Sequence, residues 1–191
     1  MKNTYAKEKA VSMTAVLTIL GIINLWKTNN FEESLPLVIF YAILTFNTFF
    51  SIRLFSDIIP LTDRFQWMVD AILAIIYIIL AFNLDNPMKF ALWAALLFSV
   101  SVVKYIELLY MVDAGDFFNL LRYKMVIDGL GTISCVGALG GIIFGFASAS
   151  VWLWVTVFII ANIYIFTINP LYSLPKKSRY EVLNKCHIRN R

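Results

Sequence analysis

The chain has 191 residues, 60% of them hydrophobic and 15% charged, with a formal net charge of +4 and a mean hydropathy of +0.77. Soluble domains are nearer half apolar, so the composition reads as an integral membrane protein and excludes an ordinary soluble enzyme. Positive charge falls between the apolar runs and the stackable aromatics lie inside them. That pattern excludes a nucleic-acid groove and assigns the charge to membrane orientation and lipid contact.

Residues 1–9 are polar and carry Lys2, Lys7 and Lys9. The run from Ala10 to Trp26 is uncharged and just long enough to span. It is followed by Lys27 with no small-x-small cleavage site, so it reads as a signal anchor, helix 1 over 10–26. Glu32 and Glu33 then precede Ser34, a candidate N-cap, with Pro36 in the first turn; these start helix 2 over 35–55. Helix 3 is expected over 66–84, and Asp85-Asn86-Pro87 forms the turn to helix 4, 88–112. Between Asp113 and Lys124, Phe117, Phe118, Leu120 and Leu121 alternate with polar residues, which predicts a short amphipathic segment in the membrane interface. Helix 5 follows over 125–146, Ala147 to Ser150 reads as a tight turn, and helix 6 covers 151–168. The expected architecture is an all-α six-transmembrane-helix bundle with short loops, one membrane domain over 1–191 that ends in a basic tail at 171–191.

The positive-inside rule can be applied by counting. The side holding both ends and the 2–3 and 4–5 links has fourteen Lys or Arg, and the other side has only Lys27 and Lys89. Both termini are therefore expected to be cytoplasmic, in the cell (inner) membrane. Trp26, Trp93, Trp152 and Trp154 then fall at the outer interface and Trp67 at the inner one. The tail, with Lys176, Lys177, Arg179, Lys185, Arg189 and Arg191, is expected to touch anionic lipids.

The same topology sets Arg53, Asp57, Asp70, Lys104, Glu107 and Asp128 at similar depth, in the inner third of the bilayer. A charge in hydrocarbon costs about 2.5–3.5 kcal/mol on insertion scales, so such groups meet a partner, reach the surface or face water. Lys104 and Glu107 are three apart and share a helix side. Two bases against four acids predict a site that attracts a cation or holds a proton. The plainer reading is structural ion pairs, with Lys104 snorkelling and the aspartates solvated at helix ends. Tyr77, with Asn24, Asn47 and Asn162, lies near mid-span, placed to line a solute path or to hydrogen-bond between helices. In helix 5, Gly137, Gly141 and Gly145 make two overlapping G-x-x-x-G steps, which predict close helix contact within the monomer or with a second copy.

Several chemistries lack their residues. No Cys or His pair has zinc-ligand spacing, and the single histidine, His187, is in the tail with Cys186, so no cofactor and no metal is expected. Asp128 precedes Gly129 and Gly131, the reverse of the order in presenilin-type proteases, and the ordered aspartates of a CDP-alcohol phosphotransferase are missing. The leading functional reading is a transporter or channel for a small solute or ion, with a charged cytoplasm-facing cavity between helices 2 and 5. Its rival is an accessory, immunity or sensor protein acting through helix contacts. An enzyme acting on a lipid-borne substrate ranks last.

Overall fold

The computed structural model describes residues 2–28, 31–58, 63–111 and 116–168; side chains are described there except at 2–5, 57–58, 111, 116 and 168. The tail at 171–191, with Cys186 and His187, and the Asp57 side chain lie outside the described residues. The described chain is helical: α1 (Lys2–Lys27), α2 (Phe31–Ile58), α3 (Arg64–Ala81), α4 (Pro87–Met111), α5 (Asp116–Ile143) and α6 (Ala147–Ile163), with one π-helical turn at Tyr164–Ile168 continuing α6. All six helices are long and apolar enough to cross a membrane. In lipid no water is present to satisfy backbone groups, so an apolar run of this length folds on its own i to i+4 hydrogen bonds.

Local chemistry moves several boundaries from their expected positions. α1 begins eight residues early because nothing in the polar start breaks a helix, and this carries Lys9 into the bundle. α2 begins at Phe31, so Ser34 is a buried residue of the first turn and not the N-cap; Glu32 and Glu33 sit instead within that first turn, where the helix dipole favours acids. α3 starts at Arg64 because Asp63 caps it, its Oδ1 accepting from the Phe65 and Gln66 amides at 3.0 and 3.2 Å. It stops at Ala81, and a turn continues through Asp85.

The expected interfacial segment before helix 5 is a correction. From Asp116 it is the first two turns of α5. Phe117, Leu120 and Leu121 are buried with Leu54, Phe55, Tyr105 and Leu108, so the apolar face meets α2 and α4 and not lipid. The α5–α6 turn also falls earlier than expected: Gly145 takes φ +89° after Ile143, a conformation open to glycine, and Ala147 to Ser150 begin α6.

The helices close into a ring. α1 packs on α2 and α3, α2 on α6, α6 on α5, α5 on α4, and α4 on α3, with α2 also touching α4 across the middle. The half of the ring near the α1–α2, α3–α4 and α5–α6 links is filled by an aromatic core. Phe40 is its hub: it stacks on Phe158 at 4.0 Å and packs against Trp154 at 4.4 Å and Phe90 edge-on at 5.7 Å. Leu37, Leu80, Leu84, Ala94 and Val155 complete this core. Trp154 is therefore a core residue and not part of an interfacial belt, whereas Trp26 and Trp67 are exposed. Since lipid tails are as apolar as leucine, this half is held by close packing and aromatic geometry rather than by expulsion of water.

Candidate functional site

The other half of the ring is hollow. A cavity of about 640 Å³ is bounded by residues of all six helices. Helical spacing explains which side chains reach it. On α1, Lys9, Met13 and Leu17 repeat every four residues on one stripe; on α3, Gln66, Asp70, Ala74 and Tyr77 follow at spacings of four, four and three; on α5, Lys124, Ile127, Asp128, Gly131 and Ser134 line it. The floor is apolar, formed by Leu44, Leu97, Phe98 and Phe158, where the aromatic core begins.

Two ion-pair units stand above that floor. In the first, the Lys104 ammonium lies 2.5 Å from Asp70 Oδ1, and Lys9 approaches Asp70 Oδ2 at 3.8 Å. This unit ties α4, α3 and α1 together. Lys104 is 8% exposed and its ammonium stands 5.6 Å from the Phe55 ring, so it points into the bundle and does not snorkel to the surface. In the second unit Lys124 and Asp128, one turn apart on α5, face each other at 3.6 Å. Tyr105 also hydrogen-bonds the Asp128 carboxylate, and the Lys124 ammonium lies 5.8 Å from the Tyr105 ring. Asp128 is 6% exposed and twelve residues into its helix, so helix-end solvation does not account for it.

Below the charges is a tier of neutral polar groups. Thr48 and Tyr77 share a hydrogen bond between α2 and α3. The Asn47 amide donates to Asn162 Oδ1 between α2 and α6. Ser101 and Ser134 add hydroxyls to the wall. Among the described residues, two side-chain amide oxygens are buried without a hydrogen-bond partner, Asn47 Oδ1 and Gln66 Oε1, in addition to the Thr45 hydroxyl and the Trp154 indole nitrogen. Asn47 and Gln66 line the cavity. A buried amide oxygen left unpaired costs on the order of 1–3 kcal/mol, a cost the bundle carries at both positions.

Of the residues singled out in the sequence, the cavity gathers Asp70, Tyr77, Lys104 and Asp128, with Asn47 and Asn162. Arg53 is exposed and outside the lining. Glu107 is also outside it: its carboxylate accepts from the Gln66 amide, and Lys104 pairs with Asp70 instead. Asn24 donates to Leu20 O of its own helix. The expected excess of acids is reversed. The lining carries Lys9, Lys104 and Lys124 against Asp70 and Asp128, one net positive charge.

Sequence reasoning missed Lys9, Lys124 and Gln66. The i,i+4 spacing of Lys124 and Asp128 was a readable sign of the second pair. Gln66 carried no such signal.

The glycines of α5 divide in the same way. A Cβ on Gly141 would stand 2.0 Å from Ser150 Oγ, so Gly141 lets α5 and α6 touch. Gly137 and Gly140 have open space where a Cβ would point, and Gly145 serves the turn. Packing within the monomer therefore explains Gly141, and also Gly131, whose Cβ would meet the Phe98 ring at 3.1 Å, but not Gly137 or Gly140.

No protein-family model matches the chain, and neither a curated protein nor a solved structure matches it.

Proposed function

We propose that this polytopic membrane protein transports a small charged solute, which occupies the six-helix cavity and is released by rearrangement of its ion pairs. The single observation behind this reading is the cavity itself: about 640 Å³, with five charged side chains, Lys9, Asp70, Lys104, Lys124 and Asp128, in its lining. Charged groups inside a membrane protein face bundle interiors or water-filled paths, and binding sites of carriers form from several helices near mid-membrane. A carrier fits better than an open channel, because the Phe40 core seals the opposite half. Lys9 and Asp70 flank the mouth, with side chains 35% and 40% exposed. The excess of Lys and Arg at this end supports a cytoplasmic mouth in the cell membrane.

The test is flux in proteoliposomes, with a panel of ions and small organic ions outside and a pH dye inside. Transport predicts flux that falls in Lys104→Met and in the double variant Lys124→Met with Asp128→Asn, which strands no charge, while both remain monodisperse. Flux that is absent, or equal in wild type and variants, ends the proposal.

The open space at Gly137 and Gly140 supports a second reading, in which α5 docks on a partner helix and the protein is an accessory or sensor subunit. Under that reading mild-detergent purification yields a stable complex that Gly137→Leu disrupts, and proteoliposomes show no flux.

A further inference from the structure

The wall between α5 and α6 is apolar where it borders the cavity. These helices touch closely near their link, where Gly141 meets Ser150. Toward the other end each side presents apolar residues along the seam: Ile127 and Leu130 on α5, Val157 and Ile160 on α6, and Tyr164 in the π-helical turn that continues α6. All five line the cavity. Four of them are also exposed, Leu130 at 60%, Ile160 at 62%, and Val157 and Tyr164 at 49%. Exposed side chains that also line a cavity form a wall one side chain thick, with no second layer behind it. In a spanning bundle, a wall at this height faces hydrocarbon.

From this seam, together with the tiers of the cavity, we infer that the transported solute is a single-chain amphiphile with an anionic head, which enters sideways from the bilayer between α5 and α6. The inference rests on the transport reading above and names its substrate class. The lining has an excess of one positive charge, from Lys9, Lys104 and Lys124 against Asp70 and Asp128. An anionic head placed between Lys104 and Lys124 gains two ammonium partners and stays clear of hydrocarbon. The chain lies along Phe98, Phe158, Leu130 and Ile160 and leaves through the seam, so its methylenes exchange lipid for protein surface at little cost. A fully water-soluble ion has no use for this apolar doorway.

The experiment measures binding of radiolabelled oleate to the full-length protein in phosphatidylcholine nanodiscs. Expected are saturable binding, competition by unlabelled oleate, and no competition by hexadecyltrimethylammonium or by butyrate at equal concentration. Lys104→Met should weaken binding roughly tenfold, as loss of one charged partner does. Leu130→Trp with Ile160→Trp should slow uptake by roughly tenfold, equivalent to about 1.4 kcal/mol on the entry barrier. Both tryptophans replace residues that already face outward, so the fold is kept, and Leu130→Trp alone serves if the double variant aggregates.

Absence of saturable oleate binding, equal competition by the cationic amphiphile, or unchanged uptake in the tryptophan variants overturns the inference. If oleate fails to bind while proteoliposomes still move a water-soluble ion in a Lys104-dependent way, the amphiphile is wrong and the transport reading stands. If both assays fail, both fall.

Discussion

Lys124 and Asp128 face each other across one turn of α5, 3.6 Å apart, with both side chains less than a tenth exposed. A pair this buried offers modest net stability while intact, because desolvation of the two charges offsets most of their attraction. Breaking it is another matter. Lys124→Met or Asp128→Asn leaves one charge without its counter-ion and should cost about 3–5 kcal/mol, whereas the double substitution should recover most of that loss. Thermal unfolding in detergent of the two single variants and the double variant checks this. Additive losses would mean that the pair is not coupled.

Asp70 holds two lysines of unequal standing. Lys104 is buried and 2.5 Å away; Lys9 is about a third exposed and 3.8 Å away. Lys9→Met should therefore change stability by no more than about 1 kcal/mol, as for other water-screened pairs. Asp70→Asn strands the buried Lys104 and should be clearly worse. The same melting assay ranks the two, and equal effects would contradict the unequal burial.

The hollow and filled halves of the ring can be told apart chemically. In a background with Cys135 and Cys186 replaced by serine, Ser101→Cys should react readily with a small water-soluble thiol reagent, because Ser101 lines the cavity. Ala94→Cys, in the packed half, should be protected. Adding the reagent to sealed vesicles from one side and then the other also reports which way the mouth faces.

Glycine substitutions should separate close contacts from open faces. A Cβ at position 21 would lie 2.8 Å from the ring of Tyr41, whose hydroxyl is anchored on Leu17 O. Gly21→Ala should destabilise by about 1–3 kcal/mol, as other overpacked sites do. Gly141→Ala should do the same, and pairing it with Ser150→Gly should relieve it. Gly137→Ala meets nothing and should be neutral, or stabilising by up to about 1 kcal/mol through helix propensity.

Much of the site was readable before any coordinates, and the exceptions follow a rule. Asp70, Lys104 and Asp128 stood out because charge is rare within apolar runs, and counting spans put them at one depth. Glu107 stood out equally, yet its helix is turned so that it meets Gln66 beside the cavity. Lys124 was set aside as a loop residue because the polar letters around it looked like a break, whereas Phe117, Leu120 and Leu121 bury one face and continue α5 through them. Lys9 was lost in the same way, since a polar helix end and a polar loop have similar composition.

By itself the sequence determined the class of the protein and its six spans, and it picked out the charges lying within apolar runs. Those follow from transfer energies and from a fixed rise per residue, which are properties of the chain alone. Tertiary structure decided the rest: which lysine meets which aspartate, that Trp154 is core and Gly137 is not, and that three lysines outnumber two aspartates around the cavity. These depend on how far each helix is rotated about its own axis, and that rotation is set by the packing of its neighbours.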